Sequence, residues 1–131
     1  MNKRINISSG AIWEDIVGYS RAVKIGNLIE ISGTTSVDGD KVIGIADPYR
    51  QTKVIIEKLS SILQKAGGSL NDIIRVRIYV KNINEWEIIG KAFSENFKKI
   101  KPAATMVEVS SLINPELLVE IEATAILSGD A

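Results

Sequence analysis

The chain has 131 residues, 45 % of them apolar, and 16 basic groups balance 16 acidic ones. That composition predicts one folded domain, 1–131, with a core of its own, and excludes a disordered segment. Zero net charge argues against a dedicated nucleic-acid binder, which carries a basic excess.

There is no Cys and no His. Ser-His-Asp and Cys-His nucleophilic machinery therefore cannot be assembled from this chain, nor can metal sites made of imidazole or thiolate. Acid-base work falls to carboxylates, Tyr, Lys, backbone groups or water. Residues 1–10, MNKRINISSG, hold no apolar segment of the secretory kind, and no run reaches the length of a membrane span. Cytoplasmic residence and no membrane partner are the expectation.

Ser20 to Ile25 and Leu28 to Ser32 flank Gly26-Asn27, which reads as two strands joined by a tight hairpin. Asp38-Gly39-Asp40 is a second turn signal, followed by a short run at Lys41 to Ile45. Asp47-Pro48 announces a helix, with Asp as cap and Pro pre-organised for the first helical position. Ile55, Leu59, Ile62 and Ala66 follow at helical spacing, and Gly67-Gly68 ends the element.

Ile74, Val76, Ile78 and Val80 then alternate with Arg75, Arg77, Tyr79 and Lys81. This predicts a strand with two guanidiniums on one face. Asn84, with Glu87 three residues on, predicts the cap of a second helix. Trp86, Ile89, Phe93, Phe97 and Ile100 form its expected buried stripe, and Pro102 stops it.

Lys101 to Leu127 holds two more alternating runs. In the second, Val119, Ile121, Ala123 and Ala125 share one face, and Glu120, Glu122 and Thr124 share the other. Two carboxylates so placed repel each other unless water, a cation or a donor lies between them. The plain alternative is a solvated sheet face. Strands, helix, strand, helix, strands implies an α+β fold: a mixed sheet of about six strands with two helices on one face. Two helices cannot cover both faces, so the other meets water or further subunits.

Several separated blocks carry a resemblance. Gly18-Tyr19-Ser20-Arg21-Ala22-Val23, Gly26-Asn27 and Ile31-Ser32-Gly33-Thr34-Thr35 stand near the N-terminus. Pro102-Ala103-Ala104-Thr105, Val107-Glu108-Val109 and Val119-Glu120-Ile121-Glu122-Ala123 stand near the C-terminus. In order and spacing these resemble the RidA/YjgF superfamily, the reactive intermediate imine deaminases and their relatives, from about Gly18 to Leu127. The resemblance implies a chorismate mutase-like homotrimer with its sheets at the centre and helices outside. It places ligand clefts between subunits, with Tyr19 of one protomer and Glu120 of another bordering a shared hollow. The implied ligand is a 2-oxo acid, an imine or another small carboxylate. The implied reaction is hydrolysis of a C=N bond, with a Glu holding the water. No cofactor and no metal are implied.

Carried over residue by residue, Glu120 matches the water-positioning carboxylate, Tyr19 the pocket tyrosine, and Ser32 with Gly33 a strand end lining the cleft. The arginine that pairs with substrate carboxylate in the best-known branch is replaced by Ala104, and a polar asparagine is replaced by Gly90. Met106, two residues from Ala104, is expected to point into the same cleft and make it more apolar. The cleft is thus inherited by resemblance, whereas deaminase activity is not carried over whole. Arg21, two residues from Tyr19 and read as sharing its strand face, is expected to reach the cleft and offset part of the missing charge. The plainer readings are a packed Tyr19, a strand terminus at Ser32-Gly33, a structural acceptor at Glu120, and surface ion pairing for Arg21, Arg75 and Arg77. Trp13-Glu14 resembles a segment of some non-deaminase branches, and packing is the expected role of Trp13. Three functions follow in order: a C=N hydrolase, a metabolite-binding trimer without turnover, and a nuclease or translation inhibitor. Neither a basic excess nor an acidic metal cluster supports the third, so a nucleic-acid partner is not expected.

Overall fold

Gly26 adopts a left-handed backbone with φ 60°, as a two-residue hairpin turn requires. It joins β2 (Ala22–Ile25) to β3 (Leu28–Thr34), which pair antiparallel from Ala22 opposite Ile31 to Ile25 opposite Leu28. The computed structural model describes residues 3–128; the expected domain's ends, 1–2 and 129–131, lie outside it. Two elements were not foreseen, β1 (Arg4–Ile7) and a short helix α1 (Ile12–Val17). A two-residue ribbon follows β3, β4 (Val37–Asp38) with β5 (Lys41–Val42), around the expected turn.

Helix α2 (Pro48–Lys65) starts as its sequence dictates: the Asp47 side chain accepts from the Arg50 backbone N–H at 2.9 Å. It ends at Gly67, whose φ of 94° lets the Gly68 N–H return to the Leu63 carbonyl. Strand β6 (Ile73–Val80), helix α3 (Trp86–Phe97) and strand β7 (Ala103–Glu108) form a parallel crossover, and β8 (Val119–Ile126) follows.

The sheet runs β1-β2-β3-β8-β6-β7, with only the β6–β7 pair parallel. The core lies on one face. Ile29, Ile31, Val76, Ile78, Val80, Val119, Ile121, Ala123 and Ala125 of the sheet meet Ile55, Leu59, Ile62, Leu63, Ile89 and Phe97 of the two helices. No described helix is long and apolar enough to cross a membrane.

Three local expectations are corrected. A register shift between Ile73 and Arg75 buries Ile73 and leaves Ile74 half exposed, so Ile74 leaves the Val76 face. Asn84 does not cap α3, whose N-cap position Glu85 makes no side-chain bond; a 3-10 turn (Ile83–Glu85) precedes the helix, and the Asn82 side chain caps that turn by accepting from the Asn84 N–H at 3.0 Å. Trp86 consequently sits at the helix start and is 56 % exposed. Phe93 and Ile100 are only partly buried, with Phe93 stacked on Phe97 at 4.2 Å.

Candidate functional site

Strand β3 carries a bulge where the sequence placed a strand end. Ile31 lies opposite Ala123 and Thr34 opposite Ile121. Ser32 and Gly33 therefore both oppose the single residue Glu122. Such an insertion bends the strand and re-aims its backbone, and sites are often built beside one. Three bonds fix it: the Ser32 N–H donates to the Arg21 carbonyl at 3.0 Å, Ser32 Oγ to the Ser20 carbonyl at 2.7 Å, and Thr34 Oγ1 to the Ser32 carbonyl at 2.8 Å. A side chain on Gly33 would overlap the Glu120 carboxylate. Glycine thus allows a close approach, and the group approaching is the chain's own Glu120.

Strand β8 projects Glu120 and Glu122 onto the open sheet face, and their fates differ. Glu122 accepts from the Tyr79 hydroxyl and lies 3.7 Å from the Arg77 guanidinium. Its neighbourhood holds the Tyr79 phenol above its ordinary range, chiefly through that hydrogen bond. Glu120 is half-buried and makes no hydrogen bond or ion pair among the described residues. Burial pushes its carboxyl above the ordinary value of 4.5; Arg21 pulls it part of the way back, and Glu122 adds repulsion.

Arg21 is not on a strand face with Tyr19. The chain between α1 and β2 turns there, with Gly18 at φ 95° and the Tyr19 N–H bonded to the Glu14 carbonyl at 3.0 Å. Arg21 does arrive beside Glu120, but by another route: its Nη2 donates to the Gly33 carbonyl at 2.5 Å, and its Nε is buried without a partner. Tyr19 is 40 % exposed.

Two charged residues that sequence reasoning passed over complete this neighbourhood. Glu14 is the one buried residue of α1. It accepts from Ser8 Oγ at 2.9 Å, Ser9 Oγ at 2.5 Å and the Ser9 N–H at 3.2 Å. Burial acts upward on its carboxyl, but the Ser9 and Ser8 bonds, with Arg21, outweigh it and hold the group below 4.5. Lys58 of α2 donates to the carbonyls of Thr35 and Val37; burial, reinforced by Arg21, lowers its ammonium. Glu14 had a signal in the sequence, a carboxylate within an apolar segment just after Ser8-Ser9. Lys58 had none, because a lysine on a long amphipathic helix reads as solvated.

The remaining candidates lie elsewhere. Ala104 and Met106 share a face of β7, as expected, but they pair with Val76 and Ile78 and so face the helix layer. Met106 packs against the core and Ala104 is exposed. Gly90 is on α3, with nothing within 4 Å of the place a side chain would take. Between β7 and β3 stand β6 and β8, about 14 Å at ordinary strand spacing. One protomer therefore brings Arg21, Ser32, Gly33 and Glu120 together, and holds Ala104, Met106 and Gly90 apart from them on the other side of the sheet.

Helix α1 is inverted: Ile12, Trp13, Ile16 and Val17 are 61–70 % exposed while its glutamate is buried. Trp13 is thus not packed within the protomer. Among the described residues no group of three or more His, Cys, Asp or Glu is placed to hold a metal ion.

Comparison with known proteins agrees with this architecture. The family model described as endoribonuclease L-PSP matches residues 11–127. A RutC family protein of Pyrococcus abyssi is 42 % identical over 110 residues, 82 % of this chain and 84 % of that one. The 3-aminoacrylate deaminase RutC of Acinetobacter baylyi is 32 % identical over 108 residues, 82 % of this chain and 85 % of its own. The crystal structure of a YjgF/YER057c/UK114 family member from Mycobacterium tuberculosis superposes with a TM-score of 0.84 at 43 % identity, covering 95 % of this chain and all of that one. Fold and sequence thus point the same way, and the chain belongs to the endoribonuclease L-PSP family of the RidA/YjgF superfamily.

Proposed function

We propose that this protein is a cytoplasmic homotrimer that binds a small C=N metabolite in clefts between protomers and hydrolyses it. One observation carries the reading. Apart from Tyr19, the candidate pocket residues fall into two groups on opposite sides of one sheet, Arg21, Ser32, Gly33 and Glu120 against Ala104, Met106 and Gly90. Only a second copy can supply one group to the other. The exposed apolar side chains of α1, with Val107 on the open face of β7, support association.

In the proposed chemistry Glu120 holds a water against the C=N carbon and takes its proton. The C–O bond forms as the C=N electrons move to nitrogen, which receives the proton that Glu120 took from the water. Glu120 then takes the hydroxyl proton of the carbinolamine and returns it to nitrogen as the C–N bond breaks, releasing ammonia and leaving a carbonyl. A carboxyl raised toward neutrality by burial suits transfer in both directions. The name of the Acinetobacter baylyi relative, a 3-aminoacrylate deaminase, belongs to the same chemical class.

A second reading, capture of a metabolite without turnover, is favoured by Ala104, since a methyl group cannot orient a substrate carboxylate. Decay of imines generated in solution from amino acids, followed with wild-type protein and the Glu120→Gln variant, separates the two. Faster decay that Glu120→Gln abolishes supports hydrolysis; unchanged decay with a raised melting midpoint supports binding alone. Light scattering that returns the mass of one 14.3 kDa chain removes both. RNA cleavage by the purified protein would instead favour the activity in the family's description.

A further inference from the structure

We infer that the ligand of this cleft presents a cation or a strong N–H donor on a small apolar body, not a carboxylate, and that Glu120 receives it. The inference rests on the cleft proposed above.

Around the β3 bulge Arg21, Lys58, Glu14 and Glu122 each bond within the protomer, and among the described residues Glu120 does not. The Arg21 guanidinium donates to the Gly33 carbonyl and encloses its Nε. The Lys58 ammonium is held by the carbonyls of Thr35 and Val37. Glu14 takes its bonds from Ser8 and Ser9, and Glu122 from Tyr79 and Arg77. The Glu120 carboxylate is half-buried and has no hydrogen-bond or ion-pair partner among the described residues. A partly desolvated acceptor gains most from a ligand that donates to it, and a charge-assisted bond is the strongest such donor. A ligand carboxylate at the same place would instead meet like charge.

The other half of the cleft agrees. Ala104, Met106 and Gly90 bring no charge, and the open space beside Gly90 leaves room for an apolar body. A protonated imine, an amidinium or an amine fits both halves. The groups that face Glu120 are Arg21 before β2, Tyr79 on β6 and Glu122 on β8, with Lys58 behind Arg21. Burial holds the Glu120 carboxyl above 4.5, so it takes up a proton as pH falls toward that value, and binding of a permanent cation weakens as it does.

Benzamidine, benzamide and benzoate share one skeleton and differ in charge, and they test this by calorimetry and thermal melts on the full chain. Benzamidine is expected to bind at least about tenfold tighter than benzoate, the low end of one charge-assisted hydrogen bond. Glu120→Gln should remove that advantage. Ala104→Arg, at an exposed position, should turn the preference toward benzoate. Benzoate binding as tightly as benzamidine, or benzamidine affinity unchanged in Glu120→Gln, overturns the inference. Absence of binding by all three to a trimeric protein overturns it too and leaves the inter-protomer cleft standing; a monomeric protein removes the cleft itself.

Discussion

The carboxylate of Glu120 occupies the space in which a side chain at position 33 would lie. Strand β8 thereby reads the β3 bulge directly: where β3 lacks a Cβ, β8 places its one unengaged acid. Gly33→Ala should leave the fold intact at a cost of about 1 kcal/mol, because the obstructing atoms are the mobile end of a side chain. Its larger effect should be on Glu120. Driven out toward water, that carboxyl loses the desolvation that raised it, and its titration falls back toward 4.5. Carboxyl carbon shifts of Glu120 against pH measure this, and an unmoved titration contradicts the geometry.

Arg21 acts on the same group with opposite sign. Arg21→Gln removes the cation that pulls the Glu120 carboxyl down, so its titration should move further above 4.5. Arg21→Lys should restore most of the wild-type value, since charge rather than shape carries the effect. The same carbon-shift titration reads both variants.

Glu14 couples α1 to pH. Its folded-state carboxyl lies below 4.5, so its ionised form contributes stability above the unfolded value, lost as pH falls through the lowered one. Glu14→Gln should cost about 1–3 kcal/mol near neutrality, the range for a buried charged acceptor with several donors. That deficit should shrink as pH drops below 4.5 and the wild-type carboxyl itself protonates. Urea unfolding at neutral and acid pH measures the gap; a pH-independent deficit assigns Glu14 a packing role only.

Gln51 is fully buried and bonds the β8 approach to α2. Its Nε2 donates to the carbonyls of Gly44 at 3.0 Å and Glu116 at 2.9 Å, and its Oε1 accepts from the Leu118 N–H at 2.9 Å. Gln51→Leu leaves three backbone groups without partners and should cost about 3 kcal/mol. A loss under about 1 kcal/mol in urea unfolding would show that water replaces the amide.

Ala46 stands in the left-handed region with φ 59°, immediately before the Asp47 cap. Ala46→Gly relieves that strain and should raise stability by about 0.5–1 kcal/mol, a melting shift of a few degrees upward. A lowered midpoint would mean that unfolded-state freedom outweighs the strain.

Legibility in the sequence followed the range of the forces involved. Gly26-Asn27 and Asp47-Pro48 act over a few bonds, and the hairpin and α2 lie where they were expected. The Glu120/Glu122 face was legible because alternation alone fixes it. Bulges were not: nothing in Ile73-Ile74-Arg75 or Ile31-Ser32-Gly33-Thr34 announces that two residues will face one, since partner register decides it. Trp86 and Asn82 exchanged expected roles with their neighbours because a single 3-10 turn advances the helix start. The engagement of Arg21 by Gly33, and the placing of β7 beyond β6 rather than beside β8, are long-range facts that no local pattern encodes.

Sheet order also governs when this chain can fold during synthesis. Strand β8 is the last strand in chain order yet sits between β3 and β6, pairing with residues from Leu28 to Thr34 and from Ile73 to Val80. While the ribosome still holds it, the nascent β1–β3 meander and the β6–α3–β7 unit share no strand, and the apolar faces of α2 and α3 lack the Val119, Ile121, Ala123 and Ala125 part of their cover. Emergence of β8 is the event that joins the two halves, and chains interrupted within β8 should accumulate as aggregates rather than as partly active protein.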